Sequence, residues 1–142
     1  MNISSITNGY VIDHIKAGRS MEIYDYLNLD TLSCTVALLK NVSSRKMGKK
    51  DIIKIDSLID LDLDVLGYVD PGITVDIIKD GKIHEKTHLE LPERISGVIR
   101  CKNPRCITST EQELEHIFKL TDRKNSVYRC IYCEMKAPSR KK

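Results

Sequence analysis

The chain alternates short apolar runs with polar turns, and the period of each run predicts an element. GYVIDHI at 9–15 sets β-branched residues after a glycine and predicts a strand. In RSMEIYDYLNL (19–29), Met21, Tyr24 and Leu27 recur at three-residue steps with Ile23 on the same face, which predicts a helix. Ser20 supplies an N-cap for it and Glu22 an acidic residue in its first turn. LSCTVALLKNV (32–42) predicts a long, mostly buried strand, with Cys34 as a small buried hydrophobe on it. SSRKMGKK (43–50) predicts a polar, basic loop, and DIIKIDS (51–57) another strand, its lysine interrupting an isoleucine-rich run.

LIDLDLDVLGY (58–68) alternates aliphatic and acidic residues, which also fits a strand. A short helix is preferred, because Ser57 and Asp60 offer capping chemistry and Leu58, Leu61, Val65 and Tyr68 share a helical face. The DPG turn at 70–72 leads into a hairpin, GITVDIIK and KIHEKTHLEL, joined at Asp80-Gly81. The order β-α-β-β-α-β-β is the split βαβ or ferredoxin-like pattern with an added strand. Two helices would cover one face of an antiparallel sheet and leave the other open to a ligand or another subunit. LPERISG (91–97) predicts a linker, with Pro92 ending a strand and Gly97 loosening the chain. The expected class is therefore α+β: an N-terminal ferredoxin-like antiparallel sheet with two helices over 1–91, then a small all-β domain over 92–142.

Composition sharpens this division. With one Phe and no Trp among 142 residues, the core must rest on Ile, Leu and Val. No apolar run approaches the roughly 18–20 residues needed to span a membrane. The N-terminus MNISSITNGY lacks a basic region followed by an apolar one, so a cytoplasmic setting is expected. Residues 1–90 carry 11 Lys/Arg against 14 Asp/Glu, whereas 91–142 carry 12 against 6. A basic half invites a nucleic-acid reading, with Arg100, Lys102, Arg105, Arg123, Lys124 and Arg129 as its carriers. The plainer reading is a solvated surface and a loose tail, APSRKK at 137–142.

Five cysteines without a secretory signal argue against a disulfide framework. Apart from Cys34 they form C-x4-C (Cys101, Cys106) and C-x2-C (Cys130, Cys133) across a 23-residue spacer. Short-spaced pairs let two thiolates point inward from one tight turn, and two such turns complete a tetrahedron. Pro104 stiffens the first turn, and Ile99 and Tyr128 fit short strands leading into the two turns. One structural Zn2+ per chain is expected; iron, in a rubredoxin-like electron carrier, remains the rival by spacing. Four thiolates leave no open position for Lewis-acid catalysis. A segment of about fifty residues rarely stabilises itself without such a staple.

No nucleophilic elbow, phosphate-binding glycine loop or HExxH motif is present, so enzymatic activity has little support. Asp13 and His14 are adjacent on a strand, where neighbouring side chains face opposite ways, so direct acid–base cooperation is not expected. More informative are charges that break apolar strands: Asp13 in VIDHI, Lys54 in DIIKI and Lys86 in the last hairpin strand. On an open sheet face these could converge, with Lys50 adding a further charge. A carboxylate accepts hydrogen bonds from ribose hydroxyls and lysines bind phosphates as point charges, so the set suits a nucleotide. Equally, each could be a solvated outward residue of an alternating strand.

YVIDHI, MGKKDIIKI and LPERI, followed by C-x4-C and C-x2-C in this order, closely resemble the regulatory chain of aspartate carbamoyltransferase, over about residues 3 to 135. The resemblance implies a non-catalytic allosteric subunit of pyrimidine biosynthesis. Its N-terminal domain would bind CTP or ATP and pair regulatory chains into homodimers. Its C-terminal zinc domain would dock on catalytic chains, in an assembly of two catalytic trimers and three regulatory dimers. CTP would inhibit and ATP activate; neither nucleic acid nor membrane is implied as a partner. Carried over by motif, Asp13 and Lys54 would hold the ribose, with Lys86, Lys50 and His14 near the phosphates. Ile6 and Ile83 would lie beside the base, whose exocyclic amine is read by backbone carbonyls. The family pattern departs at His88, where an arginine would be expected.

Overall fold

The computed structural model describes residues 6–138, in two compact units that divide between Glu90 and Leu91. The first unit runs β1 (Gly9–Lys16), α1 (Ser20–Tyr26), a 3-10 turn (Leu29–Thr31), β2 (Val36–Ser44), β3 (Gly48–Ile55), α2 (Leu63–Val69), β4 (Thr74–Lys79) and β5 (Lys82–His88). Its strands form one sheet in the order β2-β3-β1-β4-β5, every neighbouring pair antiparallel. This is the expected α+β pattern: a split βαβ sheet with two helices and an added edge strand.

Strand alternation decides which face is covered. The row Ile53, Ile12, Val75 is wholly buried, and Ile15 and Ile55 continue that face. α1 contributes Ile23, and α2 contributes Val65, Leu66 and Val69. The neighbouring row, with Lys54, Val11, Asp76 and Lys86 in register, stays half-buried or exposed.

Element ends differ from expectation where local chemistry overrides periodicity. Residues 43–50 are not a loop: β2 runs to Ser44 and β3 starts at Gly48, so only Arg45–Met47 make the turn. The polar composition of these strand ends hides their pairing. β2 begins at Val36, and Cys34 sits half-buried before it rather than on it. α1 stops at Tyr26 because Asn28 takes a left-handed conformation (φ 53°). Within α1, Met21 points outward and Ser20 is the first helical residue, not the cap. α2 starts at Leu63 with Asp62 as its cap, the carboxylate accepting the N–H groups of Asp64 (3.1 Å) and Val65 (3.2 Å). Neither Ser57 nor Asp60 caps it, and Leu58 is exposed.

The second unit pairs β6 (Arg94–Ser96), β7 (Ile117–Asp122) and β8 (Val127–Cys130) in an antiparallel sheet, with one helical turn, α3 (Ile107–Thr110), as its sole helix among the described residues. Part of the expected linker is thus a strand, whereas Ile99 lies on a bend. Phe118 is fully buried between Ile95 and Cys130 in the ladder. Tyr128 is buried too, its hydroxyl donating to the Pro92 carbonyl at 2.6 Å. The expected tail at 137–142 lies mostly outside the described residues.

Candidate functional site

The two cysteine turns meet. The sulfurs of Cys101, Cys106, Cys130 and Cys133 all lie within 4.8 Å of one another, and the first three residues are buried. Cys101 Sγ is 3.6 Å from Cys133 Sγ, and Cys106 Sγ is 3.7 Å from Cys130 Sγ. Each close pair therefore joins one turn to the other, at distances far beyond a covalent bond between sulfurs.

The backbone builds each turn. Asn103 closes the first: its carbonyl accepts the Cys106 N–H (3.1 Å) and its side chain accepts the Arg105 N–H (3.0 Å). In the second, the Glu134 N–H donates to the Cys130 carbonyl at 2.9 Å, with Glu134 at a φ of 66°. The four thiols differ in their surroundings. The Thr108 hydroxyl donates to Cys106 Sγ at 3.1 Å and holds that thiol below its ordinary value. Burial pushes Cys101 up to about 12 and also raises Cys130. At Cys133 burial is outweighed by contacts with Asn103 and the Met135 N–H, leaving it at about 7. The His116 ring accepts the Cys101 N–H at Nδ1 (3.0 Å) and so fixes the first ligand turn against β7. Four soft donors with no carboxylate among them make a closed metal centre.

The second cluster lies on the open face of the five-stranded sheet. Lys54, Val11, Asp76 and Lys86 are successive cross-strand partners on β3, β1, β4 and β5. One residue pair further on, Asp13 stands opposite Thr74, and Thr74 opposite His88. Lys50 Nζ is 2.9 Å from Asp13 Oδ1. Burial works against ionisation of Asp13, but the Lys50 ammonium and the His14 N–H outweigh it and hold the carboxyl below its ordinary value.

A bulge changes the relation between Asp13 and His14. β1 gains a residue between Ile12, opposite Ile53, and Ile15, opposite Asp51. His14 takes φ 61°, its N–H donates to Asp13 Oδ1 at 2.6 Å, and its Nδ1 is hydrogen-bonded to Thr74 Oγ1 at 2.9 Å. Strict alternation, which would part the two side chains, fails there. Ile12 and Ile15 both stay in the core while Asp13 and His14 are both half-buried.

Ile83 is exposed near the far end of the sheet, paired with Ile78, which is itself opposite Gly9. The segment carrying Ile6 reaches that end because the Thr7 carbonyl accepts the Gly81 N–H (2.9 Å) and Asn8 Oδ1 accepts that of Asp80 (3.3 Å). The seven sequence candidates thus sit on β1, β3, β5 and the run into β1.

Two residues at this site escape the sequence reading. Asp76 interrupts ITVDIIK as Asp13 interrupts VIDHI, so the same signal was available for it. Its Oδ1 is buried and has no hydrogen-bond partner. Thr74 carries no such signal, since a threonine in a strand is ordinary. Of the six residues that the nucleic-acid reading rests on, Arg123 and Arg129 hold backbone carbonyls, those of Leu91 and Glu134, each at 2.9 Å.

Among the described residues no helix is long and apolar enough to cross a membrane. Residues 1–90 match the family model for the aspartate carbamoyltransferase regulatory chain, allosteric domain, and residues 93–141 that for its metal binding domain. Aspartate carbamoyltransferase regulatory chains from Clostridium tetani and Clostridium botulinum are 54% and 52% identical, over 94% of this chain and 94% and 92% of theirs. That of Bifidobacterium longum is 46% identical over 96% of this chain and 99% of its own. With both domains matched and the identity spread over nearly the whole length, this chain belongs to the aspartate carbamoyltransferase regulatory chain family, whose members are non-catalytic subunits.

Proposed function

We propose that this chain senses cytoplasmic nucleotides, CTP and ATP, and adjusts the activity of aspartate carbamoyltransferase catalytic chains in pyrimidine biosynthesis. Residues 1–91 form the effector domain, through which regulatory chains pair. Residues 92–142 dock on the catalytic chain, in an assembly of two catalytic trimers with three regulatory dimers.

The observation that carries this reading is the cross-strand row Lys54, Val11, Asp76, Lys86 beside the Asp13–Lys50 pair. Three lysines gathered on one open antiparallel face suit a polyanionic ligand. Lys86 and Lys50, as point charges, and His14 lie near the phosphates, while Asp13 and Lys54 hold the ribose, the carboxylate accepting hydrogen bonds from its hydroxyls. Ile6 and Ile83 flank a base at the other end. Backbone carbonyls there would accept from the exocyclic amine that cytosine and adenine share, so one pocket takes both. Nucleotides of different base size can then favour different quaternary states, provided each binds those states with different affinity.

The metal is zinc on this reading. Tetrahedral thiolate bonds of about 2.3 Å imply edges of about 3.8 Å, close to the 3.6 and 3.7 Å sulfur separations. The closed ligand set gives it a structural role, one ion per chain.

Reconstitution tests the whole reading. Zinc-loaded chain mixed with catalytic trimers should assemble, and CTP and ATP should then shift the substrate response of the complex. Assembly without any nucleotide response would contradict the sensing role.

A further inference from the structure

Asp51 is a fully buried carboxylate on the covered face of β3, beside Lys50, whose ammonium reaches Asp13. It is held by three main-chain N–H groups from two separate stretches of chain. Oδ2 accepts those of Gly18 (3.0 Å) and Ser20 (3.2 Å), and Oδ1 accepts that of Asn41 (3.0 Å). Gly18 and Ser20 bound the turn from β1 into α1. Asn41, at φ 58°, belongs to the bulge of the edge strand β2. A carboxylate offers acceptor sites enough for all three, and charge-assisted bonds of this kind are roughly twice as strong as neutral ones.

Its place in the register gives this clamp a second meaning. β3 is regular there, while both neighbours bulge against the same few of its residues. β1 gains its residue opposite 51–53, and β2 gains one opposite 50–52. The β1 bulge carries Asp13 and His14, and the adjoining β3 residue is Lys50. One buried carboxylate therefore ties down the end of β1, the start of α1 and the β2 bulge, directly beneath the Asp13–Lys50 pair.

We infer that Asp51 is a positioning residue for the effector site: it fixes, from the covered face, the strands that hold Asp13 and Lys50 on the open face. Through the same bonds it links occupancy of that site to the β2 edge and to α1. This rests on the nucleotide reading above.

The test is a double-mutant cycle on the full, zinc-loaded chain, titrated with CTP: parent, Asp51→Asn, Lys50→Ala and the double variant. Asp51→Asn should weaken CTP binding about tenfold, and in the Lys50→Ala background it should add less than about twofold, because both changes disable one unit. A lowered melting temperature with unchanged CTP affinity, or fully additive losses, would overturn the inference. Should Asp51→Asn fail to fold, amide hydrogen exchange on the parent chain decides. CTP should slow exchange at Gly18, Ser20 and Asn41; unchanged rates would overturn the inference equally. A parent chain that binds no CTP refutes the effector reading itself, and this inference with it.

Discussion

Lys50 and Asp13 form a 2.9 Å ion pair whose side chains are only 16% and 20% exposed. The pair joins β3 to the β1 bulge and leaves the carboxylate ionised in spite of its burial. It also means that the open face is organised before any ligand arrives, with Lys54 and Lys86 one row away.

Those two lysines should therefore be separable from the rest of the fold. Lys54→Ala and Lys86→Ala are each expected to weaken CTP binding about tenfold, the equivalent of about 1.4 kcal/mol. Zinc content should stay near its parental value, because the cysteine cluster lies in the other unit. Titration calorimetry with metal analysis checks both.

Asp76 makes the opposite prediction. It places a carboxylate between Val11 and Lys86 in the row expected to face phosphates, so Asp76→Asn should tighten triphosphate binding. The gain should be larger at low ionic strength, where screening is weaker. Affinities measured at two salt concentrations test it, and weaker binding by the variant would mean that Asp76 accepts a ligand donor instead.

Acid should undo the first unit from its buried carboxylates. Burial opposes ionisation of Asp51, yet the N–H groups of Asn41, Gly18 and Ser20 hold its pKa below the ordinary 3.8. A depressed folded pKa contributes stability that is complete above the unfolded value and is lost as pH falls through the folded one. The melting temperature should be flat from neutral pH down to about 5 and fall below the ordinary 3.8. Asp51→Asn should lower the neutral plateau and flatten the acid limb.

Gly9 tests the backbone. A Cβ there would collide with the Ile55 carbonyl oxygen across the β1–β3 ladder. Since the Cβ is fixed by the backbone and its partner is a main-chain oxygen, neither can turn aside, and Gly9→Ala should cost about 2 kcal/mol or more in denaturant unfolding.

Zinc removal should act on the other unit. Chelation, or Cys106→Ser, is expected to unfold residues 91–138 and abolish assembly with catalytic chains, because metal-binding energy is folding energy in so small a domain. CTP binding should persist, and backbone amide spectra would distinguish the two units.

Cysteine spacing and strand-breaking charges made the cysteine cluster and the charged row of the open face legible in the sequence, because thiolate geometry and isolated charges in apolar runs are local signals. The order of elements was equally legible, since β-branched runs such as YVIDHI, DIIKI and ITVDIIK are separated by polar and glycine-containing turns. The bulges were not. Nothing in VIDHI or LLKNV announces that Asp13–His14 and Asn41 each add a residue, because what satisfies the displaced N–H groups is not a pattern: Asp13 accepts that of His14, and Asp51, on β3, accepts that of Asn41. Its burial depends on three N–H groups distant in sequence, and in DIIKI it reads as a strand's polar first residue. The start of α2 was missed for a related reason: Asp60, Asp62 and Asp64 are equivalent as caps until packing selects Asp62.

The most direct measurement is a calorimetric titration of the zinc-loaded chain with CTP and with ATP, with a single-stranded oligonucleotide as control. Saturable binding of both nucleotides, each displacing the other and both weakened in Lys54→Ala, is the expected result. Absent nucleotide binding, with salt-sensitive binding of the oligonucleotide instead, would contradict the account.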